Sequence, residues 1–143
     1  MIFESDGDKQ TYEFARSLGE KALPGQVYAL TGELGAGKTV FARGFAEGLK
    51  VVERVNSPTY TILHSYFSGR LPFHHFDVYR IAEPEEMEEI GYEDCFYSDG
   101  VSLIEWAELV REILPENTIF VHFSKVPEKG TEYRRIELED FGD

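Results

Sequence analysis

A chain of 143 residues, 42% of them hydrophobic, can build one core, and the sequence reads as a single domain over residues 1–143. Of its net charge of −13, none arises before residue 82: residues 1–81 hold nine acidic and nine basic side chains, and the remainder eighteen against five. Such an acidic half disfavours a direct grip on DNA or another polyanion, the lone Cys95 excludes an intramolecular disulfide and a thiolate metal cluster, and the lack of a leader or of a long apolar run predicts a soluble, cytoplasmic protein with no membrane partner.

The stretch from Asp8 to Ala22 places Phe14 and Leu18 one turn apart, which predicts an amphipathic helix with Asp8 as N-cap, ended by Pro24-Gly25. A strand over Gln26 to Leu30 then leads into Gly32-Glu33-Leu34-Gly35-Ala36-Gly37-Lys38-Thr39, and a helix runs from Thr39 to Leu49. Val51 to Val55 reads as a short strand entering the loop Asn56-Ser57-Pro58-Thr59-Tyr60-Thr61. Two extended runs, Thr61 to Phe67 and Phe73 to Ile81, flank Ser68-Gly69-Arg70-Leu71-Pro72 and predict a hairpin. The acidic cluster Glu83 to Glu89 reads as a short solvated helix with Pro84 in its first turn, or as a docking surface for a basic protein. A turn at Ser98-Asp99-Gly100, an apolar strand Val101 to Ile104, a helix from Glu108 to Leu114 and strands over Thr118 to Val126 and Glu132 to Leu138 complete the chain. The sum is a three-layer α/β domain with a mixed parallel and antiparallel sheet.

The string from Gly32 to Thr39 matches G-x-x-x-x-G-K-[ST] in the strand-to-helix setting that a phosphate-binding loop requires. Glycines let successive backbone N–H groups turn inward on a phosphate, and the helix start adds its positive dipole end. Glu33, Leu34, Gly35, Ala36, Gly37, Lys38, Thr39 and Val40 are therefore the nucleotide-binding candidates, with Lys38 charging the β- and γ-phosphates and the Thr39 hydroxyl on Mg²⁺.

Hydrolysis needs further acids. Asp77 sits on a strand whose alternation turns Phe76 and Val78 away from it; a Mg²⁺ partner explains a carboxylate there, and pairing with Arg80 or capping the following helix is the alternative. Glu105 closes the apolar strand before Trp106, where an acid points into the crevice at the strand ends, to bind Mg²⁺ directly or through water or to position the attacking water. Thr59, Tyr60 and Thr61 follow Pro58 as a switch-like loop whose hydroxyls could sense the γ-phosphate and its metal, or as an ordinary Ser/Pro/Thr turn. His74 and His75 point to opposite faces of their strand, which argues against a joint metal site. A switch GTPase is set aside because Asp77 is followed by Val78-Tyr79-Arg80 in place of an Asp-x-x-Gly and no guanine-reading motif is present; a small-molecule kinase is disfavoured by the acidic segment where a basic lid would stand.

Together, Gly32 to Thr39, Ser57-Pro58-Thr59-Tyr60-Thr61, His75-Phe76-Asp77-Val78-Tyr79-Arg80, Pro84-Glu85-Glu86 with Gly91, and Ile104-Glu105-Trp106 make the chain resemble the TsaE (YjeE) family of bacterial P-loop ATPases. The resemblance implies an accessory ATPase that binds ATP with Mg²⁺, yields ADP, and supports TsaB- and TsaD-type proteins in forming the threonylcarbamoyl group beside the anticodon of tRNAs reading codons that begin with A. By the same route Lys38, Asp77 and Glu105 serve hydrolysis, Thr39, Asp77 and Glu105 serve the metal, and tRNA is met indirectly. Arg134 and Arg135 stay open as nucleotide contacts.

Overall fold

The computed structural model describes residues 1–33, 35–56 and 62–139. The chain runs β1 (Ile2–Ser5), α1 (Asp8–Lys21), β2 (Val27–Gly32), α2 (Lys38–Gly48), β3 (Leu63–Tyr66), β4 (Phe73–Asp77), α3 (Glu86–Glu89), α4 (Tyr92–Phe96), β5 (Val101–Glu105), a 3₁₀ segment Ala107–Ile113, β6 (Ile119–Lys125), a 3₁₀ turn Pro127–Lys129 and β7 (Arg134–Glu139). Seven strands form one sheet in the order β1-β7-β6-β2-β5-β4-β3. Its centre, β6-β2-β5-β4, is parallel, while β3 on one side and β7 and β1 on the other pair antiparallel. The expected mixed α/β architecture is what the chain adopts.

Alternation along the buried strands divides the core. Tyr28, Leu30, Leu103, Val121 and Phe123 face α1 and α2, meeting Phe14, Phe41 and Phe45. Val27, Ala29, Phe76, Ile104 and Phe120 face the other way, onto Met87, Cys95 and Phe96 of the short helices and Ala107 and Val110 of the 3₁₀ segment. Cys95 thus packs as an apolar side chain, and burial pushes its thiol pKa up.

Helices α1 and α2 touch through backbone. A Cβ on Gly44 would lie 2.3 Å from the Tyr12 carbonyl oxygen, and one on Gly48 would lie 2.2 Å from that of Arg16, so no larger residue fits this crossing. The end of α2 is a Schellman motif: Val51 N–H donates to the Ala46 carbonyl at 3.1 Å and Lys50 N–H to that of Glu47 at 2.9 Å. Lys50 therefore adopts φ 65°, a left-handed conformation that disfavours a side chain. Replacing Lys50 with Gly is expected to stabilise the fold by about 1 kcal/mol, read as a raised thermal midpoint.

Several local expectations give way to tertiary structure. Val51 to Val55 is not a strand: Val51 N–H closes the helix, Val52 N–H goes to Ser68 Oγ at 3.0 Å, and the Val55 carbonyl accepts from Arg43 at 3.0 Å, leaving no ladder to join. Gly7, extended at φ 172°, takes the cap position of α1, and Asp8 is its first helical residue. The helix expected from Glu108 is a tight 3₁₀ segment broken at Val110, whose φ is −129°. Two elements are additions, the edge strand β1 and helix α4, which Gly91 starts with φ 72°.

Candidate functional site

Strands β2, β4 and β5 are parallel neighbours, so Gly32, Asp77 and Glu105 end them at one edge of the sheet. Register fixes this: Leu30 and Asp77 both pair with Glu105 from opposite sides. The crevice beyond strand carboxyl ends is where ligands gather in such sheets.

The phosphate-loop candidate leaves β2 through Gly32, which has φ 132° and where a Cβ would lie 2.5 Å from the Phe123 carbonyl oxygen. The Gly32 N–H donates to Glu108 Oε2 at 3.1 Å. Ala36 N–H closes a tight turn on the Glu33 carbonyl at 3.2 Å, and Gly37, left-handed at φ 100°, passes the chain into α2 at Lys38. Glu33 and Gly35 are exposed, Ala36 is buried, and Val40 is half-buried in the first turn; Leu34 lies outside the described residues.

Lys38 is held inside this turn. Its ammonium donates to the carbonyl oxygens of Gly32 and, at 3.2 Å, Glu33, and lies 3.5 Å from the centre of the Trp106 ring. Burial pulls its pKa down, opposed by the charges of Glu108, Glu105, Asp77 and Glu33. Trp106 reaches that position because its backbone is left-handed, with φ 62° and ψ 36°, a strain of about 1–3 kcal/mol tolerated where surroundings enforce it. Exposed Tyr79 also packs against the indole, its ring centre 4.9 Å from that of Trp106.

Glu105 is only 2% exposed. The Thr39 hydroxyl donates to its Oε1 at 3.0 Å and His75 Nε2 to its Oε2 at 2.6 Å. Asp77 stands beside it, its Oδ1 accepting from Tyr79 N–H at 3.0 Å, so it caps its own turn, and no ion pair with Arg80 forms among the described residues. Burial raises the Asp77 pKa first, the Tyr79 N–H lowers it, and the neighbouring Glu105 charge raises it further. The structure therefore brings together Lys38, Thr39, Asp77 and Glu105.

Thr59, Tyr60 and Thr61 lie outside the described residues. The stem leading to them is tied to α2: Arg43, one turn after Thr39, donates to the Val55 carbonyl at 3.0 Å and to Asn56 Oδ1 at 3.2 Å. Of the two open arginines, Arg134 donates to the Gly35 carbonyl at 3.2 Å, whereas Arg135 pairs along its own strand with Glu137. Two residues of the site were assigned no role in it from the sequence: His75, considered only against a joint metal site with His74 and within the 75–80 motif, and Glu108, read as a helix start. His75 had a signal, since period-two alternation puts it on the face of Asp77; Glu108 had none, because its reach to Gly32 depends on the 3₁₀ winding.

The crevice chemistry suits Mg²⁺. Thr39 and two carboxylates are hard oxygen donors, too few for a full protein cage, which matches a cation that keeps several waters and shares phosphate oxygens. Glu33, Asp77, Glu105 and Glu108 all act on Lys38, so carboxylates outnumber the ammonium around this crevice, which is the setting a divalent cation suits.

The sequence profile of the family described as "Threonylcarbamoyl adenosine biosynthesis protein TsaE" matches residues 5–136. The chain is similar to proteins named "tRNA threonylcarbamoyladenosine biosynthesis protein TsaE": that of Bacillus subtilis (strain 168) is 41% identical over 94% of this chain and 82% of its own length. That of Haemophilus influenzae is 47% identical over 83% of this chain and 71% of its own. A solved structure, described as the crystal structure of Bacillus subtilus YdiB, superposes with a TM-score of 0.84 at 34% identity, covering 99% of this chain and 86% of that one. With a matching profile that takes in residues 32–39, Asp77 and Glu105, this chain belongs to the TsaE family.

Proposed function

We propose that this protein is an ATPase of tRNA threonylcarbamoyladenosine biosynthesis, which hydrolyses ATP to ADP and phosphate to support turnover of a transferase complex of TsaB- and TsaD-type proteins. Membership of the TsaE family supports the pathway. The observation that carries the ATPase reading is the Thr39–Glu105 hydrogen bond at the mouth of a glycine-rich loop, with Lys38 within it.

In this reading Lys38 exchanges the Gly32 and Glu33 carbonyls for phosphate oxygens as the triphosphate enters, while the N-terminus of α2 faces the same charge. Thr39, Glu105 and Asp77 would hold Mg²⁺, which when bound supplies Lewis-acid polarisation of the phosphate oxygens. Glu105, anchored from two sides, keeps its position while Asp77 contributes the second carboxylate. Thr59 to Thr61, which follow in sequence the Val55-Asn56 stem held by Arg43, would report the γ-phosphate to the partner. The acidic second half fits docking on proteins, with tRNA met through them.

The test is phosphate release by the purified protein alone and with the partner complex. Slow hydrolysis alone, rising at least about tenfold with partners, and loss of threonylcarbamoyl transfer over repeated turnovers when this protein is omitted, are the expected results. Fast hydrolysis indifferent to the partners would sink the accessory role. No helix among the described residues is long and apolar enough to cross a membrane.

A further inference from the structure

His75 is fully buried, 0% exposed, at the centre of β4, and nothing in the proposed reaction uses it. A histidine so placed needs a reason, because its ring nitrogens must be satisfied without water. Its Nε2 lies 2.6 Å from Glu105 Oε2, and between an imidazole nitrogen and a carboxylate the ring N–H is the donor. Among the described residues Nδ1 has no partner, so the bond to Glu105 is the polar contact that orients the ring. The Phe73 ring, two residues earlier on the same strand face, stacks on it at 5.9 Å and 15° and fixes its plane.

The geometry points to His75 as the positioning residue for Glu105, holding Oε2 so that Oε1 stays directed at Thr39 and the mouth of the phosphate loop. This rests on the ATPase reading above and adds to it the group that sets the orientation of its central acid. The placement follows from the sheet: His75 pairs with Leu103, two residues before Glu105, so its side chain reaches diagonally across parallel strands to the carboxylate. At 0% exposure it cannot meet nucleotide or water. It acts through Glu105, much as outer-shell hydrogen bonds fix the ligands of metal sites. Without the N–H, Glu105 loses the bond that holds Oε2 against the pull of the Lys38 ammonium, on which its charge acts.

Two variants separate positioning from packing. His75→Leu fills the site but removes the donor; His75→Gln places an amide N–H near the position of Nε2. Mg²⁺ is titrated against binding of a fluorescent ATP analogue, alongside analogue affinity in EDTA, the hydrolysis rate and the thermal midpoint. For His75→Leu, the Mg²⁺ concentration at half-effect rises about tenfold or more and hydrolysis falls by a similar factor, while affinity in EDTA stays within about twofold of wild type; His75→Gln recovers most of both losses. A His75→Leu protein with wild-type Mg²⁺ dependence overturns the proposal. So does a folded His75→Gln protein whose Mg²⁺ dependence and hydrolysis are shifted about tenfold from wild type, a result readable even where the leucine variant melts. A wild-type protein that binds no ATP analogue overturns instead the ATPase reading beneath it.

Discussion

Lys38→Ala is expected to weaken ATP binding about 100-fold, measured by titration with a fluorescent analogue in the presence of Mg²⁺. The ammonium is the cation inside the turn of the phosphate loop, held by two loop carbonyls and the face of Trp106. Four carboxylates act on it, those of Glu33, Asp77, Glu105 and Glu108. Removing one positive charge from such surroundings leaves a triphosphate facing a net negative crevice, where Coulomb terms are weakly screened. Lys38→Arg should not restore affinity, because the longer planar guanidinium does not fit between Gly32, Glu33 and the indole in place of a compact ammonium. An Ala variant with wild-type affinity would remove the phosphate-loop assignment altogether.

Glu105→Gln is expected to retain ATP binding within a few-fold and to lose hydrolysis by about 100-fold or more. The change is nearly isosteric, so the strand end and the course of the loop should persist. What changes is charge and hydrogen-bond polarity. An amide has one acceptor oxygen and a donor NH₂, yet both the Thr39 hydroxyl and His75 Nε2 now donate to this side chain. One of the two must lose its acceptor, and a divalent cation loses a negative partner. In single-turnover assays the variant should trap the triphosphate, and threonylcarbamoyl transfer should fail after the first cycle. Retained transfer at the wild-type rate would show that the protein works as a nucleotide-gated binding module without turnover.

The juxtaposition of Lys38, Thr39, Asp77 and Glu105 was readable from the chain because each carries a local signature. A glycine-rich turn between strand and helix, ending in Lys38-Thr39, is specified within eight residues. Asp77 and Glu105 each close an apolar strand, and the parallel register that makes them neighbours is the one that burial of both sheet faces favours. What the chain hid depends on contacts between distant residues. His75 and Glu105 are thirty positions apart, and only the pairing of β4 with β5 makes one the partner of the other. Val51 to Val55 carries β-branched residues that suggest a strand, but the left-handed Lys50 turns the chain at the helix end and its amides are taken by α2 and Ser68. Strand β1 is four residues long and exists because β7 presents an antiparallel edge to it, a fact written at the opposite end of the sequence.

The glycine contact between α1 and α2 bears on how a nucleotide signal can travel. Side chains between helices act as a compliant layer that lets one slide over the other; here Gly44 and Gly48 place backbone on backbone and remove it. The pair forms one backbone-packed block with the glycine-rich loop at its tip, so on the proposed reading a push from a γ-phosphate would not be absorbed along that seam. It would pass instead to the stem at Val55-Asn56 that Arg43 grips and to the Trp106 turn. Those are the two places where a partner protein would feel whether the loop holds a triphosphate or its product.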